Sequence, residues 1–190
     1  TINPSLLQTP YDAVRDFAPV ATLVSTEFVL VVHPSIPSRN LQEFVALAKS
    51  KPGELNYASA GSGGSPHLAG ELFKMMTGVR MQHVPYKGTG PAIADLVGGQ
   101  VQLAFNDPPA VIPHIKSGKL KALAITGQSR MASLSQVPTF AEAGLAGYDM
   151  RNWYGVLAPV GTPRDVIEKL SSEIGRTLTA ADFQIGRAHV

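Results

Sequence analysis

Three loops rich in Gly, Ser, Thr and Pro hold the residues of this chain best suited to gripping a ligand. The first is Gly61-Ser62-Gly63-Gly64-Ser65-Pro66-His67. Glycine lets a backbone approach a ligand closely. Ser62 and Ser65 offer hydroxyl donors. A helix beginning after the loop would aim unpaired N–H groups and a partial positive charge at it. Ser62, Gly63, Gly64 and Ser65 together read as an anion cradle. They do not form a nucleotide loop: the Gly-Lys-Ser/Thr ending is missing, and no GxGxxG precedes a ribose-binding acid. A Gly-rich turn capped by Ser65 accounts for the pattern equally well.

The second loop is Tyr86-Lys87-Gly88-Thr89-Gly90-Pro91. Thr89 can donate a hydroxyl bond, flanked by Gly88 and Gly90, and a helix start again supplies N–H groups. Lys87 beside a turn is expected in solvent. The third is Asn106-Asp107-Pro108-Pro109. Asn106 can present an amide. Asp107 would repel an anion unless it holds a ligand ammonium, a water or the loop itself, and helix capping explains it as well. His67 either caps or contacts a ligand or has a structural role; His83, inside a strand, is expected to be packed. His67, His83 and His114 lack the i, i+4 spacing of a helical metal site and no carboxylate joins them, so neither a metal nor a cofactor is expected. No GxSxG elbow, HExxH or carboxylate pair appears, so nothing demands an enzyme. Met75, Met76, Trp153 and Tyr154 read by default as core residues.

The elements around these loops alternate. Phe28 to Val32 is a continuous apolar run and reads as a buried parallel strand. Asn40 caps a helix from Leu41 to Ser50. Strands follow at 55–59, 81–85, 101–105 and 120–126, with helices at 67–77, 92–97 and 110–117 between them. A short helix is expected at 140–143, a last strand at 153–158, and a final helix behind Pro163. The first 27 residues carry a turn or short helix at 11–17 and a strand at 20–25. Repeated βα units predict an α/β fold with a parallel sheet and helices on both faces.

Composition bounds the function. The chain has 190 residues, 44% hydrophobic and 16% charged, enough apolar content for a packed core. A net charge of +2 without basic runs gives nucleic-acid binding no electrostatic support. The absence of cysteine excludes disulfides and thiolate chemistry. No apolar run approaches the roughly 18 residues of a membrane span. Thr1-Ile2-Asn3-Pro4 shows neither the basic start nor the apolar stretch of a signal peptide, so an absent or processed beginning is expected. Ile185-Gly186-Arg187-Ala188-His189-Val190 reads as a translated sequencing adapter.

The sequence resembles the Bug-type (tripartite tricarboxylate transporter) solute-binding proteins. The resemblance rests on Asp16-Phe17-Ala18-Pro19-Val20, Leu55-Asn56-Tyr57-Ala58-Ser59-Ala60-Gly61, Pro66-His67-Leu68-Ala69-Gly70-Glu71-Leu72-Phe73 and Val84-Pro85-Tyr86-Lys87-Gly88. It continues through Leu96-Val97-Gly98-Gly99-Gln100-Val101, Ile115-Lys116-Ser117-Gly118-Lys119-Leu120, Val137-Pro138-Thr139 with Glu142-Ala143-Gly144, and Trp153-Tyr154-Gly155. The matches keep their order over residues 10 to 183.

The resemblance implies a periplasmic-binding-protein-like bilobal fold that closes on its ligand about a hinge. It implies a small carboxylate held by hydroxyls, backbone amides and waters, and integral membrane subunits of a transporter as partners. A periplasmic location, a monomer and no catalysis follow from it. Contacts from the second lobe would fall on Ser62, Ser65, His67, Gly88, Thr89, Gly90 and Asn106 or Asp107. Family members begin with a signal peptide, a strand and a Pro/Gly-rich loop that this sequence lacks. Residues 1–28 then read as a remnant of the first lobe, 29–125 as the second lobe, 126–184 as an incomplete crossover back to the first lobe, and 185–190 as a non-native tail. Such a truncated chain is expected to bind weakly or not at all. Two other readings stand beside this one. The effector-binding domain of a transcriptional regulator shares the bilobal fold. An enzyme acting on an anionic metabolite would need His67 or Asp107 as its titratable group.

Overall fold

A computed structural model describes residues 8–180, and the tail expected at 185–190 lies outside the described residues. The chain divides into two compact units, one of Thr26–Asn152 and one of Thr1–Ser25 with Trp153–Val190.

The unit Thr26–Asn152 is built on a five-stranded sheet of β2 (Val29–Val32), β3 (Asn56–Ser59), β4 (Gln82–Pro85), β5 (Leu103–Asn106) and β6 (Lys121–Ile125), in the order β4-β3-β5-β2-β6. β3 runs parallel to both β4 and β5. β2 runs antiparallel to both β5 and β6, so the parallel direction expected for it is wrong. A continuous apolar run reports burial on both faces and carries no direction. β2 follows β1 (Phe17–Glu27), a strand of the other sheet, after one residue; the helix Leu41–Ser50 separates it from β3, yet the two run in opposite directions, so an intervening helix does not by itself fix the direction.

Phe28 to Val32 are all fully buried. Phe28, Leu30 and Val32 face one side with Tyr57, Leu103 and Phe105; Val29 and Val31 face the other with Ala58 and Ala104. This is the two-residue period of a strand with a core on each face. Each such side chain contributes about 1.5–3 kcal/mol on burial. The first face is covered by α1 (Leu41–Ser50) and α2 (Ser65–Thr77), through Leu41, Phe44, Ala48, Ala69 and Phe73. The second is covered by α3 (Thr89–Val97) and α4 (Pro108–Lys116), through Ala92, Ile93, Leu96 and Val111. α1 starts as expected: the Asn40 side chain accepts the Glu43 N–H at 2.8 Å, while the Glu43 carboxylate accepts the Arg39 N–H at 2.8 Å.

Residues 126–152 belong to the same unit as 29–125. The Phe140 and Tyr148 rings stack at 4.2 Å against the first face, and the Tyr148 hydroxyl donates to the Ala69 carbonyl at 2.7 Å. The helix expected at 140–143 is a single turn, in which the Ala143 N–H reaches the Thr139 carbonyl at 2.9 Å before Gly144 ends it. Met75 is also misread as core, being 76% exposed. Phe73 and Met76, three residues apart, occupy the inward stripe of α2 and leave Met75 outside it.

In the other unit, β1 and β7 (Arg151–Pro159) form a two-stranded sheet, followed by α5 (Arg164–Thr179) behind Pro163. Both boundaries between the units fall inside these two strands. Trp153 and Tyr154, read as core by default, are about half exposed, because a two-stranded ribbon has no second layer of its own in which to bury them.

Thr126 joins three segments. Its hydroxyl donates to the Met150 carbonyl at 2.6 Å and accepts the Phe28 N–H at 2.9 Å, at 1% exposure. Thr126→Val preserves shape but strands both backbone groups. Chemical denaturation is expected to show a loss of at least about 2 kcal/mol, since each orphaned buried group costs about 1–3 kcal/mol. Thr126→Ser, which keeps the hydroxyl, is expected to lose less than half as much.

Candidate functional site

Parallel strands β4, β3 and β5 deliver the three Gly- and Asn-bearing loops to one edge of the sheet, each leading into a helix. Helices α2, α3 and α4 therefore begin along the same edge, which accumulates unpaired N–H groups and the positive ends of three helix dipoles. The first two loops are bonded together: the Gly88 N–H donates to the Ala60 carbonyl at 3.2 Å, and the Tyr86 N–H to the Ser59 carbonyl at 2.9 Å.

In the first loop, Gly63 has φ +79°, a conformation that side chains resist. Ser62 is exposed and Gly64 caps α2 without a side chain. The capping expected of Ser65 is not found. Ser65 is the first residue of α2, and its hydroxyl donates instead to the Asn152 side-chain oxygen at 3.1 Å. His67 turns back under the loop, and its Nδ1 accepts the Gly63 N–H at 3.0 Å.

In the second loop, Gly88 has φ +111° and caps α3, Thr89 begins that helix, and Gly90 follows, exposed. A Cβ on Gly90 would meet nothing within 4 Å, so neither packing nor backbone conformation calls for glycine there. Lys87 is exposed, as expected. The Tyr86 hydroxyl donates to Asp95 at 2.7 Å; burial and this bond push it up to about 12. The loop is thereby moored to α3.

Asn106 closes β5 at 6% exposure, paired through its backbone with Val29, and its side-chain amide has no hydrogen-bond partner among the described residues. Asp107 precedes α4 but makes no side-chain cap. Its Oδ1 accepts the Thr26 hydroxyl at 2.9 Å. Of the uses open to Asp107 in the sequence, holding the loop is the one found. Thr26 and Asn152, where the chain enters and leaves this unit, went unseen in the sequence. Nothing local marks them; only a contact across 81 positions, Thr26 to Asp107, and one across 87, Ser65 to Asn152, reveal them.

Beneath the first loop lies a polar cluster also missed in the sequence. The His67 and His83 rings stack at 3.9 Å, and Tyr57 stacks on His83 at 4.9 Å. The Tyr57 hydroxyl donates to Glu71 at 2.6 Å, and Lys74 binds the same carboxylate at 2.8 Å. Burial would raise the Glu71 carboxyl, but the Lys74 and Tyr57 bonds outweigh it and hold it below the usual range. Burial, with the neighbouring His67, pushes His83 down to about 4. Gly70 is required here, because a Cβ would run into the Tyr57 ring. Ser59 lies 2.6 Å from His83 Nε2, the spacing of a nucleophile and its base. At 2% exposure, with its hydroxyl donated to the Gly61 carbonyl at 2.9 Å, Ser59 is out of a substrate's reach.

Among the described residues the three loops present the Ser62 and Thr89 hydroxyls and the Asn106 amide at helix starts, donors suited to an anion, with the Asp107 carboxylate beside them engaged by Thr26. Among the described residues no group of three or more His, Cys, Asp or Glu side chains could hold a metal ion, and no helix is long and apolar enough to cross a membrane.

A model of the tripartite tricarboxylate transporter family receptors matches residues 1–185. Three solved structures are similar. One, described as a periplasmic transporter, is 43% identical, with a TM-score of 0.86 over 96% of this chain and 62% of that one. Rpa4515 of R. palustris, solved with adipate, is 36% identical, with a TM-score of 0.84 over 94% and 60%. MatC of Rhodopseudomonas palustris, with bound malate, is 34% identical, with a TM-score of 0.83 over 92% and 60%. The chain spans about half the length of the curated relatives it matches.

The depressed His83 value makes stability depend on pH. The unfolded imidazole takes its proton near the ordinary 6.5 and the folded one only near 4, so the unfolded state binds more protons in between. The contribution is complete above 6.5 and is lost as the pH falls towards 4. Unfolding midpoints followed from pH 7 to pH 4.5 are expected to fall more steeply for the native chain than for His83→Gln.

Proposed function

The chain belongs to the tripartite tricarboxylate transporter family of receptors, and on that footing we propose that it captures a small dicarboxylate at the edge formed by Ser62, Gly63, Gly64, Ser65, His67, Gly88, Thr89, Gly90, Asn106 and Asp107. The observation that carries this reading is the convergence of three helix N-termini with uncommitted hydroxyl and amide groups. An anion gains most from donors already oriented and desolvated, because no reorganisation is then required on binding. Ser62, Thr89 and the Asn106 amide are the direct contacts in this reading. Ser65, His67 and Asp107 hold the loops through Asn152, Gly63 and Thr26.

Neutral recognition also suits a carrier, which must release what it binds. A buried salt bridge to the ligand would leave an uncompensated charge behind on release. The protein is proposed to act in the periplasm, to deliver its ligand to integral membrane subunits of a transporter, and to perform no chemistry. Adipate and malate on two structural relatives support a dicarboxylate as the ligand class. The sealed position of Ser59 supports the absence of catalysis.

The test is a titration of the isotopically labelled chain with malate and with adipate, followed by amide NMR. Millimolar binding is expected, with shifts centred on Ser62, Thr89 and Asn106. Asn106→Ala is expected to weaken binding about 10- to 100-fold, the worth of a hydrogen bond to a charged group. Asn106→Asp, which sets a carboxylate against a carboxylate, is expected to abolish it. Shifts clustered away from these loops, or none at tens of millimolar, would refute the proposal.

A further inference from the structure

The first loop is held from beneath at two points, and an imidazole stands behind each. The Ser59 hydroxyl carries a single hydrogen. It is 2.9 Å from the Gly61 carbonyl, and the Gly61 N–H in turn donates to Ser59 Oγ at 3.2 Å. Given to Gly61, that hydrogen leaves His83 Nε2, at 2.6 Å, as the donor; given to His83, it makes Nε2 the acceptor. His67 Nδ1 accepts the Gly63 N–H, which places the proton of His67 on Nε2, towards Glu71 Oε1 at 3.9 Å. Gly63 is thus held by His67 directly, and Gly61 by Ser59, which is bonded in turn to His83.

We propose that His67 is the positioning residue of the candidate anion loop: its bare Nδ1 orients the Gly63 amide, and protonation of His67 releases the loop. The significance for ligand capture rests on the carboxylate reading above; the loop mechanism does not.

Groups from three elements surround His67. Tyr57 and Ser59 face the pair from β3, His83 from β4, and Glu71 and Lys74 from α2. Lys74 already occupies the Glu71 carboxylate at 2.8 Å, yet Glu71 remains the one anion beside His67. His83 is the more reluctant partner, since burial and the stacked His67 both disfavour its charge. Rings 3.9 Å apart do not both become cations readily, so a proton placed on His67 leaves His83 neutral. Nδ1 then becomes a donor facing a donor, and the Gly63 bond is lost.

The experiment follows the histidine 15N shifts and the Gly63 amide of the whole labelled chain between pH 8 and pH 5. The expected result is His67 in the Nε2–H tautomer at neutral pH, with a Gly63 resonance that moves on acidification at the midpoint of His67. His67→Asn keeps an acceptor near the Nδ1 position and cannot titrate, so its Gly63 resonance is expected to stay at its neutral-pH position throughout. Malate is expected to bind the native chain roughly five-fold more weakly once His67 is protonated, the worth of about one hydrogen bond, with no such change in His67→Asn. A proton on His67 Nδ1 at neutral pH, or a Gly63 resonance indifferent to His67, would overturn the proposal. A loop that titrates as described in a chain that never responds to malate would uphold it and overturn the carboxylate reading instead.

Discussion

β2 is bonded along both edges and buried on both faces, so none of its peptide groups can turn to water. Every N–H and C=O in it must find a protein partner, and the rest of the larger unit is arranged around that demand. β5 and β6 supply the ladders. Thr126 supplies the one side-chain acceptor needed where the strand begins, at Phe28. The alternation of Leu30 and Val32 against Val29 and Val31 then assigns each helix pair to its own face. Direction follows too: with β2 running one way, β3, β4, β5 and β6 all run the other, and the loops after β3, β4 and β5 share an edge.

The helices were legible because each carries its own signal. Asn40 with Glu43 marks a start, and the stripe of Leu41, Phe44 and Ala48 marks a face. Strand positions were legible to within two or three residues from apolar runs and Gly/Pro stops. The direction of β2 was not, because hydrophobicity has no sense along the chain. Met75, Trp153 and Tyr154 failed for a related reason: residue type announces a preference for burial, while the stripe and the number of layers decide whether it is met.

The candidate loops were visible as composition, but their internal wiring was not. Ser65 and Asp107 both read as caps and both spend their side chains on distant partners, Asn152 and Thr26. His67 and His83 are sixteen positions apart with no motif to join them, and parallel pairing of β3 with β4 brings their rings into contact. A local rule sees the cap; it does not see a closer competitor arriving from another strand. What the sequence did convey was the composition of the loops, Gly, Ser, Thr and Asn with Lys87 and Asp107 among them.

The pairing of β1 with β7 bears on how the chain is made. On the ribosome, Thr26–Asn152 emerges as one uninterrupted stretch and can complete its sheet from its own residues. β1 has emerged before any of it, and its partner strand β7 emerges only after all of it. At ordinary elongation rates that wait is on the order of ten seconds. Throughout it β1 presents an unpaired edge, the kind of surface that chaperones cover and that aggregation recruits. Of the strands described, β1 is the earliest made, and its pairing must wait for β7.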